Sequence, residues 1–125
     1  MAQNDECNPK AFRKLLVWQK AHQLVLLVYG WVGKFPKHEI FGLTSQLRRA
    51  AVSVPANAAE GYGAGSSGQF GRYLNISQGS LAEVEYYLIL AQDLPYISSE
   101  DNRQAEALRS EVGFLLSRLI AKVRK

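Results

Sequence analysis

The sequence predicts an all-α protein, an antiparallel up-down-up-down four-helix bundle. Three observations carry that reading. Apolar residues recur every three or four positions through most of the chain. No segment alternates with the period of two that a strand requires. The connections between periodic segments are short and carry Pro or Gly, which makes consecutive helices antiparallel neighbours. With 125 residues and 47% hydrophobic content, the chain is expected to form one domain able to bury a core without metal or disulfide. Residues 1–11 read as a flexible N-terminal tail and residues 12–125 as the bundle.

The first helix is expected over residues 14–34. Val17, Ala21, Leu24, Val28, Trp31 and Phe35 line one face, and Pro36 ends it. A second stripe runs beside them: Trp18, His22, Val25, Tyr29 and Val32. Two apolar faces on one helix of a small bundle call for a partner, and self-association is the simplest. The second helix starts near Glu39 or Leu43 and runs to Tyr62, with Leu43, Leu47, Ala50, Val54 and Ala58 facing inward. Pro55 sits in its interior, where the missing amide predicts a bend. The third helix opens with a capping-box pattern, Ser66-x-x-Gln69. It carries Phe70, Leu74, Ser77, Leu81, Val84, Leu88 and Ala91 on one face, and Pro95 closes it. The fourth begins near Ser98, with Ala105, Leu108, Val112, Leu115 and Leu119 inward; Phe114, Leu116, Ile120 and Val123 fall off that face.

The chemistry on offer is sparse. His22 and His38 have no second ligand at helical spacing, so no metal is expected. Glu83 and Glu85 are two residues apart and point to different sides of their helix. Ser80 has no activating base nearby. The GxGxxG at Gly63, Gly65 and Gly68 follows a helix rather than a strand, and Gln69 stands where a phosphate loop needs lysine. No catalytic residue and no cofactor is predicted. Cys7 is the one cysteine, so no intrachain disulfide can form. The apolar runs fall short of the ~20 residues of a membrane span. The N-terminus is polar and acidic, and cytoplasmic residence is the expectation.

Charge is segregated more than its net value of +4 suggests. Residues 10–37 hold Lys10, Arg13, Lys14, Lys20, Lys34 and Lys37 and no acid; residues 112–125 hold Arg118, Lys122, Arg124 and Lys125 and no acid. Such segments suit a polyanion. They also suit a solvated surface that complements helix dipoles. The second helix has a polar stripe of Gln46, Arg49, Ser53, Asn57 and Glu60, readable as a subunit junction or as a wet face. Arg49 and Glu60 lie about 16 Å apart along an ideal helix, so they cannot pair with each other within one chain, and a subunit boundary is a place where they could.

Several segments together resemble the bacterial family named for the intervening-sequence proteins of 23S ribosomal RNA genes. That family is distantly similar to the accessory variability proteins of diversity-generating retroelements. The resemblance is carried by LVWQKA at residues 16–21, Phe35-Pro36, Glu39, FGLT at 41–44, QLRRAA at 46–51, SVPAN at 53–57 and Ala59-Glu60-Gly61. In the third helix it is carried by Phe70, Tyr73-Leu74, Gly79-Ser80-Leu81 and Glu83. The chain departs from the pattern at Ala58 and at Gly63-Ala64-Gly65, where a basic residue is common. The resemblance implies an antiparallel four-helix bundle, often assembled as a ring-shaped homopentamer, and it does not imply an enzyme. It also implies RNA or DNA binding through basic surfaces. Arg13, Lys14, Arg48, Arg49, Arg118 and Lys122 are the expected phosphate contacts. Trp18, His22, Val25, Tyr29, Arg49, Asn57 and Glu60 are the expected subunit contacts. A purely structural or protein-binding scaffold is the alternative.

Overall fold

A computed structural model describes residues 11–124. Most of the expected tail, Cys7 with it, and Lys125 lie outside the described residues. Ala11 is within them: it is buried in a short 3-10 turn, Ala11–Lys14. Four helices follow: α1 Leu16–Val32, α2 Leu43–Tyr62, α3 Ser67–Asp93 and α4 Ser99–Val123. No strand occurs among the described residues. α1 packs on α2, α2 on α3, α3 on α4 and α4 back on α1. The up-down-up-down bundle is therefore the observed fold.

The boundaries follow local chemistry. The amide of Gln69 donates to Ser66 Oγ (3.2 Å) and that of Asp101 to Ser98 Oγ (3.0 Å), so both expected serine caps are made. The Ser66 capping box is only half formed, because the Gln69 side chain accepts from Arg72 instead. α2 has no side-chain cap at Gly42. It is capped from one turn earlier: Leu43 N–H donates to Glu39 Oε1 at 3.0 Å. The helix passes through Pro55 unbroken. Gly65, with φ +91°, makes the left-handed step of the α2–α3 turn.

The expected inner faces of α1 and α2 are buried throughout, from Val17 to Phe35 and from Leu43 to Ala58. That of α3 is buried from Leu74 to Ala91, with Phe70 partly covered. α4 differs from the expectation. Its buried line is Ala105, Val112, Leu116 and Ile120, while Leu108, Leu115 and Leu119 are only partly covered. Arg109 occupies the same row and hides the pattern. Its guanidinium is held there by Glu106 on α4 (Nε to Oε1, 2.7 Å) and Glu85 on α3 (3.5 Å). Hydrogen bonding to Glu106 raises its pKa further above the ordinary arginine range. The second stripe of α1 is also partly internal. Val25 and Val32 are buried within the chain, because the stripe forms one wall of the crease against α2.

α2 and α3 form the most extensive helix pair. Small residues let them meet. A Cβ at Gly61 would lie 2.6 Å from Tyr73 Cβ and 3.1 Å from Phe70 Cδ1. Further along the seam, Ser77 Oγ donates to the Val54 carbonyl (2.8 Å) and Ser80 Oγ to Ser53 Oγ (2.7 Å). Asn57 Nδ2 donates to the carbonyl and hydroxyl oxygens of Ser53, both at 2.9 Å. At the far end, Glu39 joins the two remaining connections. Its Oε2 accepts from Tyr96 OH at 2.9 Å, and the Tyr96 ring packs on Phe35 with centroids 5.3 Å apart. The Leu43 amide, then the Tyr96 hydroxyl and His38, hold the Glu39 carboxyl below the usual carboxylate range.

Two outcomes are expected. Gly61→Ala should cost about 1–3 kcal/mol by overpacking a backbone-proximal contact. It would appear as a lower denaturation midpoint at unchanged slope; an unchanged midpoint would mean the helices do not meet there. Because folding lowers the pKa of Glu39, its contribution is complete above the unfolded value of about 4.3 and is lost as pH falls through the folded value. The stability gap between the native chain and Glu39→Gln should therefore narrow between neutral pH and a pH below that folded value, where the carboxyl is protonated. An equal gap at both pH values would remove the carboxylate from this role.

Candidate functional site

The antiparallel path brings the start of α1, the end of α2, the start of α3 and the end of α4 to one end of the bundle. The chain places cations on all but one of these termini. Arg13 and Lys14 precede α1, Arg72 lies in the second turn of α3, and Arg118, Lys122 and Arg124 close α4. Glu60 is the acid at this end among the described residues, and its carboxylate accepts from Tyr73 OH at 3.3 Å. The opposite end mixes Lys34, Lys37 and His38 with Glu39, Asp93, Glu100 and Asp101. The bundle is therefore polar along its axis.

Between α1 and α4 at the basic end runs an open groove of ≈ 290 Å³. Leu15, Leu16, Val17, Leu115 and Leu119 floor it, and Arg118 and Lys122 form its edge. The Arg118 guanidinium stands 5.6 Å from the centroid of the Phe114 ring, which is 60% exposed. Arg72 sits similarly over Tyr73, at 5.7 Å. Aromatic rings and cations thus alternate on this surface.

Arg13, Lys14, Arg118 and Lys122, four of the expected phosphate contacts, all lie at this end: Arg118 and Lys122 edge the α1–α4 groove, and Arg13 and Lys14 sit on the turn that packs against α1 and α2. Arg48 and Arg49 do not join them. Arg48 lies 5.5 Å from the Tyr29 ring centroid, and Tyr29 stands roughly 20 Å along α1 from Leu16, at about 1.5 Å per residue. Arg49 is engaged by Gln46 Oε1 (2.9 Å) and by Glu83 on α3 (3.7 Å). Glu83 and Glu85 do point to different sides, toward Arg49 on α2 and Arg109 on α4. Arg49 and Glu60 both find partners within the chain, and Asn57 is turned to Ser53. Arg72 was absent from the expected contacts. Its signal was the topology itself, since an antiparallel bundle must return the start of α3 to the start of α1.

Of the other expected subunit contacts, Trp18, His22 and Val25 line the crease between α1 and α2, a groove of ≈ 340 Å³, and Tyr29 stands farther along α1 beside Arg48. Phe12, Trp18, His22 and Val25 form one wall, and Val52, Pro55, Ala56 and Ala59 the other. Trp18 stacks on His22 (5.0 Å, 10° between planes) and takes the edge of Phe12 (5.2 Å). His22, Tyr29, Val52 and Ala56 are exposed, whereas Val25 belongs to the chain's own core.

Catalytic chemistry has little to work with in these grooves. Among the described residues, no base lines the pocket of the α2–α3 turn serines and no nucleophile lines the groove that holds His22. Among the described residues, no three His, Cys, Asp or Glu side chains converge as a metal site, and no helix is long and apolar enough to cross a membrane.

Comparison with known proteins adds two findings. The sequence model of a family described as 23S rRNA-intervening sequence protein matches residues 13–118. The fold is similar to a 1.70 Å crystal structure from Bacteroides thetaiotaomicron VPI-5482, of a protein of unknown function from the S23 ribosomal protein family. The TM-score is 0.78 at 25% identity, covering 85% of this chain and 96% of that one. No curated protein matches.

Proposed function

The chain belongs to the 23S rRNA-intervening sequence protein family, and from that premise we propose that it is a non-enzymatic homo-oligomer whose basic end binds RNA or DNA. One observation carries the reading. Cations near a helix C-terminus complement the dipole, and that alone accounts for Lys122 and Arg124. It does not account for Arg13 before α1, or for Arg72 in the second turn of α3, beyond the reach of the dipole. Neither helix has an acid in its first turn. Exposed cations from three of the four helix termini gathered at one end of the bundle, where Glu60 is the acid among the described residues, fit a phosphate ligand.

Assembly is the second part of the proposal. The α1–α2 crease, with Trp18, His22 and Tyr29 on one side and Val52 and Ala56 on the other, is the surface we assign to a neighbouring subunit. Five subunits are the number the family resemblance implies. Five copies of a +4 chain carry a formal +20 and would merge their basic ends into one face. Phosphate contacts dominate such binding and carry little sequence information. With no spanning helix among the described residues, we place this activity in the cytoplasm. The apolar crease also favours a second reading, in which the protein is a scaffold without nucleic-acid affinity.

Sedimentation should give a species several times the 13.9 kDa chain. Trp18→Lys or Ala56→Lys should shift it toward monomer by burying a charge in the contact. A native monomer at micromolar concentration would defeat the assembly. Structured RNA and duplex DNA should both bind, with log K falling linearly with log salt. Lys122→Ala should lower that slope by about one. If neither ligand binds more tightly than ~100 μM at low salt, the scaffold reading takes its place.

A further inference from the structure

We infer that the basic end takes unpaired nucleotides in preference to a duplex, with bases lying on Phe114 and along the α1–α4 groove. The inference rests on the nucleic-acid reading above and names the form of its ligand. A duplex presents phosphates outward and keeps the faces of its bases stacked inside. Reading it requires an element that enters a groove, typically a helix or a two-stranded ribbon. Among the described residues, the basic end is made of helix termini, the Ala11–Lys14 turn and the 63–66 turn, with no further helix or strand beyond them. Against a duplex, the leucine floor beside Arg118 and Lys122 would meet only charged backbone. An unpaired nucleotide instead offers a flat apolar ring next to a phosphate, the same pairing of chemistries that this surface presents.

The spacing on α4 supports the match. Phe114, Arg118 and Lys122 stand at i, i+4 and i+8, so they form one ridge with neighbours about 5–6 Å apart. Leu115 and Leu119 lie on the groove side of that ridge, facing the half-exposed Leu16 of α1. The Phe114 ring carries the Arg118 guanidinium and keeps most of its surface exposed. The groove's ≈ 290 Å³ is near the lower bound of small-ligand sites, about 300 Å³. That volume suits one or two rings and not a helix of nucleic acid. Stacking of bases on aromatic side chains, with cations along the backbone, is the general mode of single-strand binding.

The test uses the full chain and a labelled single-stranded RNA of about 12 nucleotides, within the size range of single-strand sites. The RNA has no self-complementarity, and the same strand annealed to its complement provides the duplex. Anisotropy at one salt concentration should show the single strand binding at least about tenfold more tightly. Phe114→Ala should weaken single-strand binding about five- to a hundredfold, the range of one lost stacking contact, and leave duplex binding unchanged. Phe114→Tyr should restore it. Arg118→Ala and Lys122→Ala should weaken both ligands. Duplex binding as tight as single-strand binding, or a Phe114→Ala variant with native single-strand affinity, overturns the inference and leaves the polyanion reading standing. Binding of neither ligand removes both.

Discussion

The close approach of α2 to α3 is the constraint on which the other features depend. Helix axes normally keep 8–10 Å between them, set by the side chains at the contact. Here the last turn of α2 has no side chain at Gly61, so Phe70 and Tyr73 close over its backbone. Ser77 and Ser80 then reach Val54 and Ser53 across the seam. These bonds satisfy hydroxyls that would be costly to bury unpaired. They also fix the axial register of the hairpin, since a shift of one turn would break both at once. With that register set, Glu83 lies opposite Arg49, and the start of α3 lies beside the end of α4, where Gly71 faces Val123. The gathering of cations at one end is a consequence of this alignment.

The four helices were legible because their apolar periods were long and their caps were standard residues. What was misread has specific causes. On α4, Arg109 interrupts the apolar row, so Leu108, Leu115 and Leu119 looked like the centre of the face when they are its flank. On α1, Val25 and Val32 looked surplus because a helical wheel does not show that small residues of α2 leave room for a second wall. For the candidate site, sequence proximity was misleading. Arg48 and Arg49 adjoin the most distinctive motif in the chain, yet each is engaged locally, by Tyr29 or by Gln46 and Glu83. Arg72 was passed over because its place on the surface comes from topology, not from any motif around it.

The two ends of the bundle are built by different means. The Glu39 end is tied by directional bonds: a carboxylate capping α2, a tyrosine from the α3–α4 connection, and a phenylalanine from the end of α1. The basic end is tied by close packing instead: Phe70 and Tyr73 close on Gly61, and the Tyr73 hydroxyl donates to Glu60. Arg13, Arg72, Arg118, Lys122 and Arg124 stay exposed around that contact.

Trp18 and Trp31 are the two tryptophans of the chain. Trp31 is buried in the core, while Trp18 lies at the α1–α2 crease in parallel contact with the His22 ring. Their indoles are intrinsic optical reporters of separate events. Emission from Trp31 follows loss of the core. Emission from Trp18 follows whatever covers or uncovers the crease. Chains keeping one indole or the other would distinguish subunit separation from unfolding without an added dye.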